Sequence, residues 1–267
     1  MNRRSLVGLA AATVFASSSE PGGARADGRD AAATPDLAFD RLLARYVRKS
    51  GDGLHRVDYR GWRAAPADLA ALAGYVRALE RIDPGPLPRA EQIAFWSNLY
   101  NAETLRVVLS AYPVGSILVI RPTLLSVGPW KSKTLRVAGR AMSLDDIENA
   151  ILRPRFRDPL IHYALNCASR GCPNLPARAW RGADLERDLE AAARDFVNSP
   201  RGVKVTPLGL VLSSIYKWYR ADFGGNDAAV LAHLARFASP KLRDVLEGRP
   251  RIARYDYDWR LNDVAAG

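Results

Sequence analysis

Cysteine and histidine are scarce: the 267-residue chain holds two cysteines and three histidines. A single cysteine pair can close at most one disulfide, which excludes the densely bridged scaffolds of small secreted domains. Long apolar runs are missing too. The stretch from Leu6 to Ala16 is too short to span a bilayer, and no later one approaches the ~20 apolar residues of a transmembrane helix. No phosphate-cradling glycine loop is present, since Gly224-Gly225 stands alone. Nor does any repeat, low-complexity tract or Gly/Pro/Ser-rich linker divide the chain, which reads as one domain long enough to bury a real core. The net charge of +11 is dominated by arginines scattered among acidic residues, with only Arg153, Arg155 and Arg157 clustered. Nucleic-acid surfaces are continuous basic patches interleaved with exposed aromatics. The scatter therefore speaks against nucleic acid as a partner and for a solvated basic surface near an anionic envelope.

What is present starts with a leader. Asn2-Arg3-Arg4 is a basic opening, Leu6 to Ala16 has the length of a signal-peptide apolar region, and Ala24-Arg25-Ala26 offers small residues to a peptidase. These predict a signal peptide over 1–26 with cleavage before Asp27, a short disordered lead over 27–34, and a domain over 35–267. The expected location is periplasmic or secreted.

Within the domain, apolar spacing predicts helices over Pro35–Lys49, Ala67–Ile82, Asp184–Asn198, Asp227–Phe237 and Lys241–Glu247. The strongest pattern runs from Arg89 to Ala111, where apolar residues wrap more than half the circumference; such a helix is central and covered on several sides. Asn98, Asn101 and Glu103 lie within it and need hydrogen-bond partners if buried, at about 1–3 kcal/mol per unsatisfied group. Val57 to Trp62 reads as extended. Ser143 with Asp146 suits a capping box opening a helix over Leu144–Leu152. Hairpins are expected at Lys133–Met142, turning at Ala138-Gly139, and at Val203–Val205 with Leu210–Leu212. Helices outnumber strands and the strands come as hairpins. The fold class is therefore α+β: a helix-rich single domain with β-hairpins and a long central helix.

Both cysteines lie in Ile161-His162-Tyr163-Ala164-Leu165-Asn166-Cys167-Ala168-Ser169-Arg170-Gly171-Cys172-Pro173. Ile161, Tyr163 and Leu165 alternate with His162, Ala164 and Asn166, which predicts a short strand; Ser169-Arg170-Gly171 predicts a turn. A thiol held at the end of a regular element beside a turn is fixed yet reachable.

Several ordered stretches together resemble one family. They are Ala94-Phe95-Trp96-Ser97-Asn98-Leu99-Tyr100-Asn101-Ala102, Ser143 to Glu148, His162 to Cys167, and Leu212 to Tyr219, with Tyr257 to Asn262 as a closing motif. The family is the uncharacterised domain of unknown function 547. The resemblance implies a shared fold and shared positions, with no established reaction. Asn149 stands where the family usually carries histidine.

Three readings of the cysteine stretch compete. A Cys167–Cys172 disulfide would close a ring so small that it gains only about 2 kcal/mol, so its role would be to shape the turn. It would leave a non-catalytic envelope binding or scaffold module. A thiol enzyme, either a hydrolase or transferase or a redox protein, would use Cys167 as nucleophile. His162, or else His55 or His233, would be its base, and Glu148, Asn98 or Asn101 the orienting group. A zinc site could draw on His162, Cys167, Cys172 and Glu148, though this spacing is no known zinc signature, and no cofactor is expected. The candidate catalytic residues are Cys167, His162, Glu148 and Asn98; the candidate binding residues are Asn101, Asn166, Lys217 and Cys172. They would surround a pocket floored by the long helix, for a small-molecule or peptide ligand not identified by the sequence.

Overall fold

The computed structural model describes residues 30–266 apart from 122, 124 and 125. The expected signal peptide and cleavage point lie outside the described residues, as does the lead up to residue 29. Helix α1 spans Asp30–Tyr46.

Helix α4, Arg89–Ala111, is the axis of the molecule. It holds no glycine or proline, so nothing interrupts its hydrogen-bond ladder. Pro88 precedes it, and Pro113 forces Tyr112 into extended backbone (ψ 137°) at its end. Burial is almost continuous from Gln92 to Leu109. Against α4 pack α2 (Tyr59–Arg63), α3 (Pro66–Glu80), α6 (Ile161–Ala164) and α7 (Leu185–Val197). One continuous apolar core runs from Phe39 in α1 to Leu261 near the C-terminus. Buried Glu103 is neutralised by Arg106 (2.6 Å) and accepts from the Thr134 hydroxyl (2.5 Å).

Among the described residues three small sheets decorate the helices, and the fold is α+β. Strands β1 (Val47–Lys49) and β2 (His55–Val57) pair antiparallel, as do β3 (Leu135–Val137) and β4 (Arg140–Met142). Strands β5 (Val203–Thr206) and β6 (Gly209–Ser213) form the second expected hairpin. The sequence reading did not anticipate β7 (Ile252–Asp256), which runs parallel to β6 and delivers the C-terminal tail to the cysteine turn.

Two local expectations fail. Residues 161–166 are not a strand: Ile161–Ala164 is one helical turn, α6, started by Asp158, whose Oδ1 accepts from Leu160 N (2.9 Å). All six residues are buried, so their alternation marks no exposed face. The extended reading of 57–62 fails because Asp58 caps α2, accepting from Gly61 N at 2.8 Å.

Trp96 is 4 % exposed within α4. Trp96→Ala should destabilise the fold by about 3–5 kcal/mol in denaturant unfolding; a loss below about 1 kcal/mol would contradict this packing.

Candidate functional site

The site is built on the turn that follows α6. Asn101 on α4 donates to Ala164 O (2.8 Å) and accepts from Asn166 N (2.9 Å), so the end of α6 is tied to the central helix. Asn166 in turn accepts from Ala168 N (2.9 Å) and donates to Pro173 O (2.8 Å), closing the loop on itself. Ala168 sits at φ 62°, a left-handed conformation that costs an alanine roughly 1 kcal/mol. The C-terminal tail holds it there. Asn262 N donates to Ala168 O (3.0 Å), Arg170 N to Arg260 O (2.8 Å) and Gly171 N to Asp258 O (2.8 Å). Residue 171 must be glycine, since a Cβ would meet Asp258 N at 2.9 Å and the Tyr257 ring at 3.0 Å.

This turn brings the two cysteines together as free thiols. The disulfide that the sequence allowed is therefore not formed in this structure. Cys167 N donates to Cys172 Sγ at 3.0 Å. The Tyr257 hydroxyl lies 3.2 Å from Cys167 Sγ and 3.0 Å from Cys172 Sγ, and Ser169 Oγ lies 3.3 Å and 3.5 Å from them. Burial pushes the Cys172 thiol up, but donation from Cys167, Ser169, Tyr257 and the Cys167 amide outweighs it and draws Cys172 down to about 6. Cys167 is held well above its ordinary value, first because it donates to Cys172 and then by burial. Sequence reasoning placed the nucleophile at Cys167; in the structure Cys172 is the sulfur that receives the additional backbone donor and the downward shift.

Both sulfurs line a cavity of about 610 Å³. Tyr100 of α4 contributes to the lining, as the expected floor required, together with Leu165 and Ile215. One wall comes from the helix that starts at Leu144. Ser143 N donates to Asp146 Oδ2 (2.6 Å) and Asp146 N to Ser143 Oγ (3.2 Å), the reciprocal cap read from sequence. Asp146–Leu152 is then wound as a π-helix, a geometry uncommon outside functional sites. From this helix Asp145, Glu148 and Asn149 face the cavity. Glu148 is buried close to the Tyr219 phenol, whose ionisation is pushed far up by burial and then by that carboxylate. Asn149 bridges Asp145 (2.9 Å) and Arg153 (2.7 Å), so a histidine there would also stand in this wall.

His162 lines the cavity and stacks on Tyr219, ring centroids 4.2 Å apart. Its Nε2 lies 2.8 Å from Asp222 Oδ2. The His162 hydrogen bond, joined against burial by Arg153, holds the Asp222 carboxyl far below the usual range. The remaining wall is aromatic: Trp130, Trp218, Tyr257 and Trp259.

The structure thus gathers Cys167, Cys172, His162 and Glu148 around one cavity. Asn101 and Asn166 serve beneath it as ties for the loop. Asn98 does not reach the cysteine loop. Its side chain bonds Trp180 O (2.9 Å) and Trp180 N (2.8 Å), fixing a different segment. Lys217 is exposed and outside the lining; its neighbours Trp218 and Tyr219 line the cavity instead. His55 bonds Leu175 O (2.7 Å), and His233 is buried against Tyr163 (2.8 Å), so neither serves a cysteine. His162 pairs with Asp222 rather than with a sulfur. Among the described residues no three His, Cys, Asp or Glu side chains gather in a metal-holding group, the set weighed for zinc included. Sequence reasoning missed Ser169, Asp222 and the role of Tyr257. Tyr257 stands at the start of the closing motif, but nothing local marks Asp222.

The charge assignment has a direct readout in thiolate ultraviolet absorbance against pH. One thiolate should titrate near pH 6 in the reduced protein and vanish in Cys172→Ser. In Cys167→Ala the remaining thiol should titrate higher, because the S–H donor is gone and nothing replaces it. A low titration that survives Cys172→Ser would reverse the assignment.

No curated protein and no solved structure matches the chain. A family model does, and it takes in three of the five stretches quoted above, the other two lying beyond its end. Residues 84–197 match the model of the family described as Protein of unknown function, DUF547.

Proposed function

We propose that this protein is a thiol-dependent enzyme whose Cys167–Cys172 pair carries out thiol–disulfide exchange on a ligand held in the aromatic cavity. The observation that carries this reading is the pairing itself. Each sulfur touches the other cysteine and the same two hydroxyls, and the protons are shared unequally. A hydrolytic cysteine would instead need a histidine in contact with sulfur.

The exchange balances as follows. The Cys172 thiolate attacks one sulfur of a substrate disulfide, whose S–S bond breaks, and the departing thiolate takes the Cys167 proton. Cys167 then attacks Cys172 in the mixed disulfide, forming the Cys167–Cys172 bond and releasing the second thiolate. Two electrons pass from the cysteines to the substrate, and a low-molecular-weight thiol would restore the dithiol. Tyr257 and Ser169 steady the sulfur charge throughout.

A second reading, cysteine acyl transfer, draws on one observation: the His162–Asp222 pair lines the same cavity. In it Asp222 orients the imidazole, and substrate binding brings His162 to a sulfur.

Equilibration in thiol/disulfide buffers decides between these readings. Exchange chemistry predicts a reversible Cys167–Cys172 disulfide in the native protein, detected as the loss of two hydrogens by intact mass, and reduction of small disulfides that either Cys→Ser variant abolishes. Turnover of a thioester with Cys167 or Cys172 acylated would favour acyl transfer. A pair that oxidises once and is reduced only after unfolding would leave a structural disulfide in a non-catalytic envelope module.

The same proposal places the protein outside the cytoplasm, supported by the leader-like run of residues 2–26. Intact mass of protein from the envelope or medium should show a mature N-terminus near Asp27; recovery with Met1 still attached would remove export from the proposal.

A further inference from the structure

The charges around the cavity run against those of the whole molecule. The chain carries a net +11, and its acidic side chains are widely engaged by arginine. Yet among the described residues neither Asp145 nor Glu148 is in an ion pair, although both line the cavity and Glu148 is 8 % exposed. Buried carboxylates are normally paired. The Cys172 thiolate adds a third negative group. On the other side stand Lys131, which is exposed at the lining, and His162, already committed to Asp222. A negative, half-open space in a basic protein attracts cations and repels anions.

The aromatic wall has the matching property. Tyr257 lies 4.6 Å from Trp259 and 4.8 Å from Trp218, and Trp130 joins at 5.8 Å from Trp259, the ring planes tilted between 53° and 69°. The rings touch, so they form one continuous aromatic surface. Arginines cover the rings of Tyr46, Phe156, Tyr219, Phe196 and Phe237, but among the described residues no cation covers any of these four. Tryptophan faces are the best aromatic partners for a cation. A cavity of about 610 Å³ is roughly 10 Å across. An alkylammonium inside it would lie within reach of both the aromatic wall and the Glu148 carboxylate.

We infer that the ligand of this cavity is an organic cation, a primary or quaternary alkylammonium, seated between the Trp130–Trp218–Tyr257–Trp259 wall and the Glu148 and Asp145 carboxylates. This deepens the thiol reading, on which it rests for the identity of the site: the substrate disulfide or thiol would carry an ammonium group. Binding itself does not depend on thiol chemistry, so the two can fail separately.

The test uses redox-inert probes on the full-length reduced protein. Choline is titrated against its neutral isostere 3,3-dimethylbutan-1-ol, with tryptophan fluorescence or calorimetry as the readout. Choline should bind at least about tenfold more tightly, and added salt should weaken choline alone. The preference should shrink in Glu148→Gln and in the more exposed Asp145→Asn, which keeps the test valid if the first variant misfolds. It should persist, diminished by the lost thiolate charge, in the Cys167→Ser/Cys172→Ser double variant, which keeps both carboxylates and the aromatic wall. Equal affinities, tighter binding of the neutral alcohol, or no saturable choline binding would each overturn the inference. Choline selectivity without any disulfide exchange would leave it standing and remove the thiol reading instead.

Discussion

The amide of Asn101 is the constraint on which the site depends. It projects from the middle of the central helix and meets an acceptor and a donor on the same segment, Ala164 O and Asn166 N. Two buried backbone groups at the end of α6 are thereby satisfied by one side chain, in an interior where leaving either unmet would cost about 1–3 kcal/mol. The register between α4 and the cysteine turn follows from that contact. Through it Tyr100, one residue earlier on α4, is set in the wall beside the thiols. Asn98, three residues before Asn101, makes the same kind of two-handed bond to Trp180 and secures the next segment of chain. The central helix thus positions its neighbours by paired amides rather than by apolar contact alone.

The strain of the turn follows from this anchoring. With Asn166 fixed from below, the chain reaches Cys172 only by passing Ala168 through a left-handed conformation. Three main-chain bonds from the C-terminal tail hold the turn from above. Backbone strain persists where surrounding structure over-determines it, and here it aims the Cys167 amide at the Cys172 sulfur. The same tail carries Tyr257 to both sulfurs. The β6–β7 parallel pairing therefore does more than extend a sheet: it brings the last stretch of chain to the thiols.

Much of this architecture was legible in the sequence, and its gaps have physical causes. The central helix could be read to the residue because a run without glycine or proline and with apolar positions on several faces admits few alternatives. The two hairpins announced themselves through Ala138-Gly139 and Pro207-Leu208-Gly209. The turn at 161–164 was misread because alternation implies a strand only when one face is wet, and here none is. Lys217 was misplaced for a related reason. It shares a motif with Trp218 and Tyr219, but α8 (Ile215–Trp218) is a single turn, and such a turn sends adjacent side chains in different directions. Asp222 and Tyr257 join the site across 60 and 90 residues of chain, from His162 and Cys167 respectively, a separation that no local pattern encodes.

The asymmetry of the two thiols is the last consequence of the fold. In sequence they differ little, and Cys167 reads as the nucleophile because it ends a predicted strand beside a turn. In the structure the distinction is one of donors. Cys172 receives a backbone amide that Cys167 cannot receive, since the amide is Cys167's own. Tyr257 and Ser169 stand near both sulfurs, so the amide breaks the tie and the shared proton settles on Cys167. That amide points at Cys172 because of the left-handed residue beside it, which is held by Asn166 and the tail. The asymmetry of the two thiols is therefore written in backbone geometry, and a change that relaxed Ala168 would disturb it without touching either sulfur.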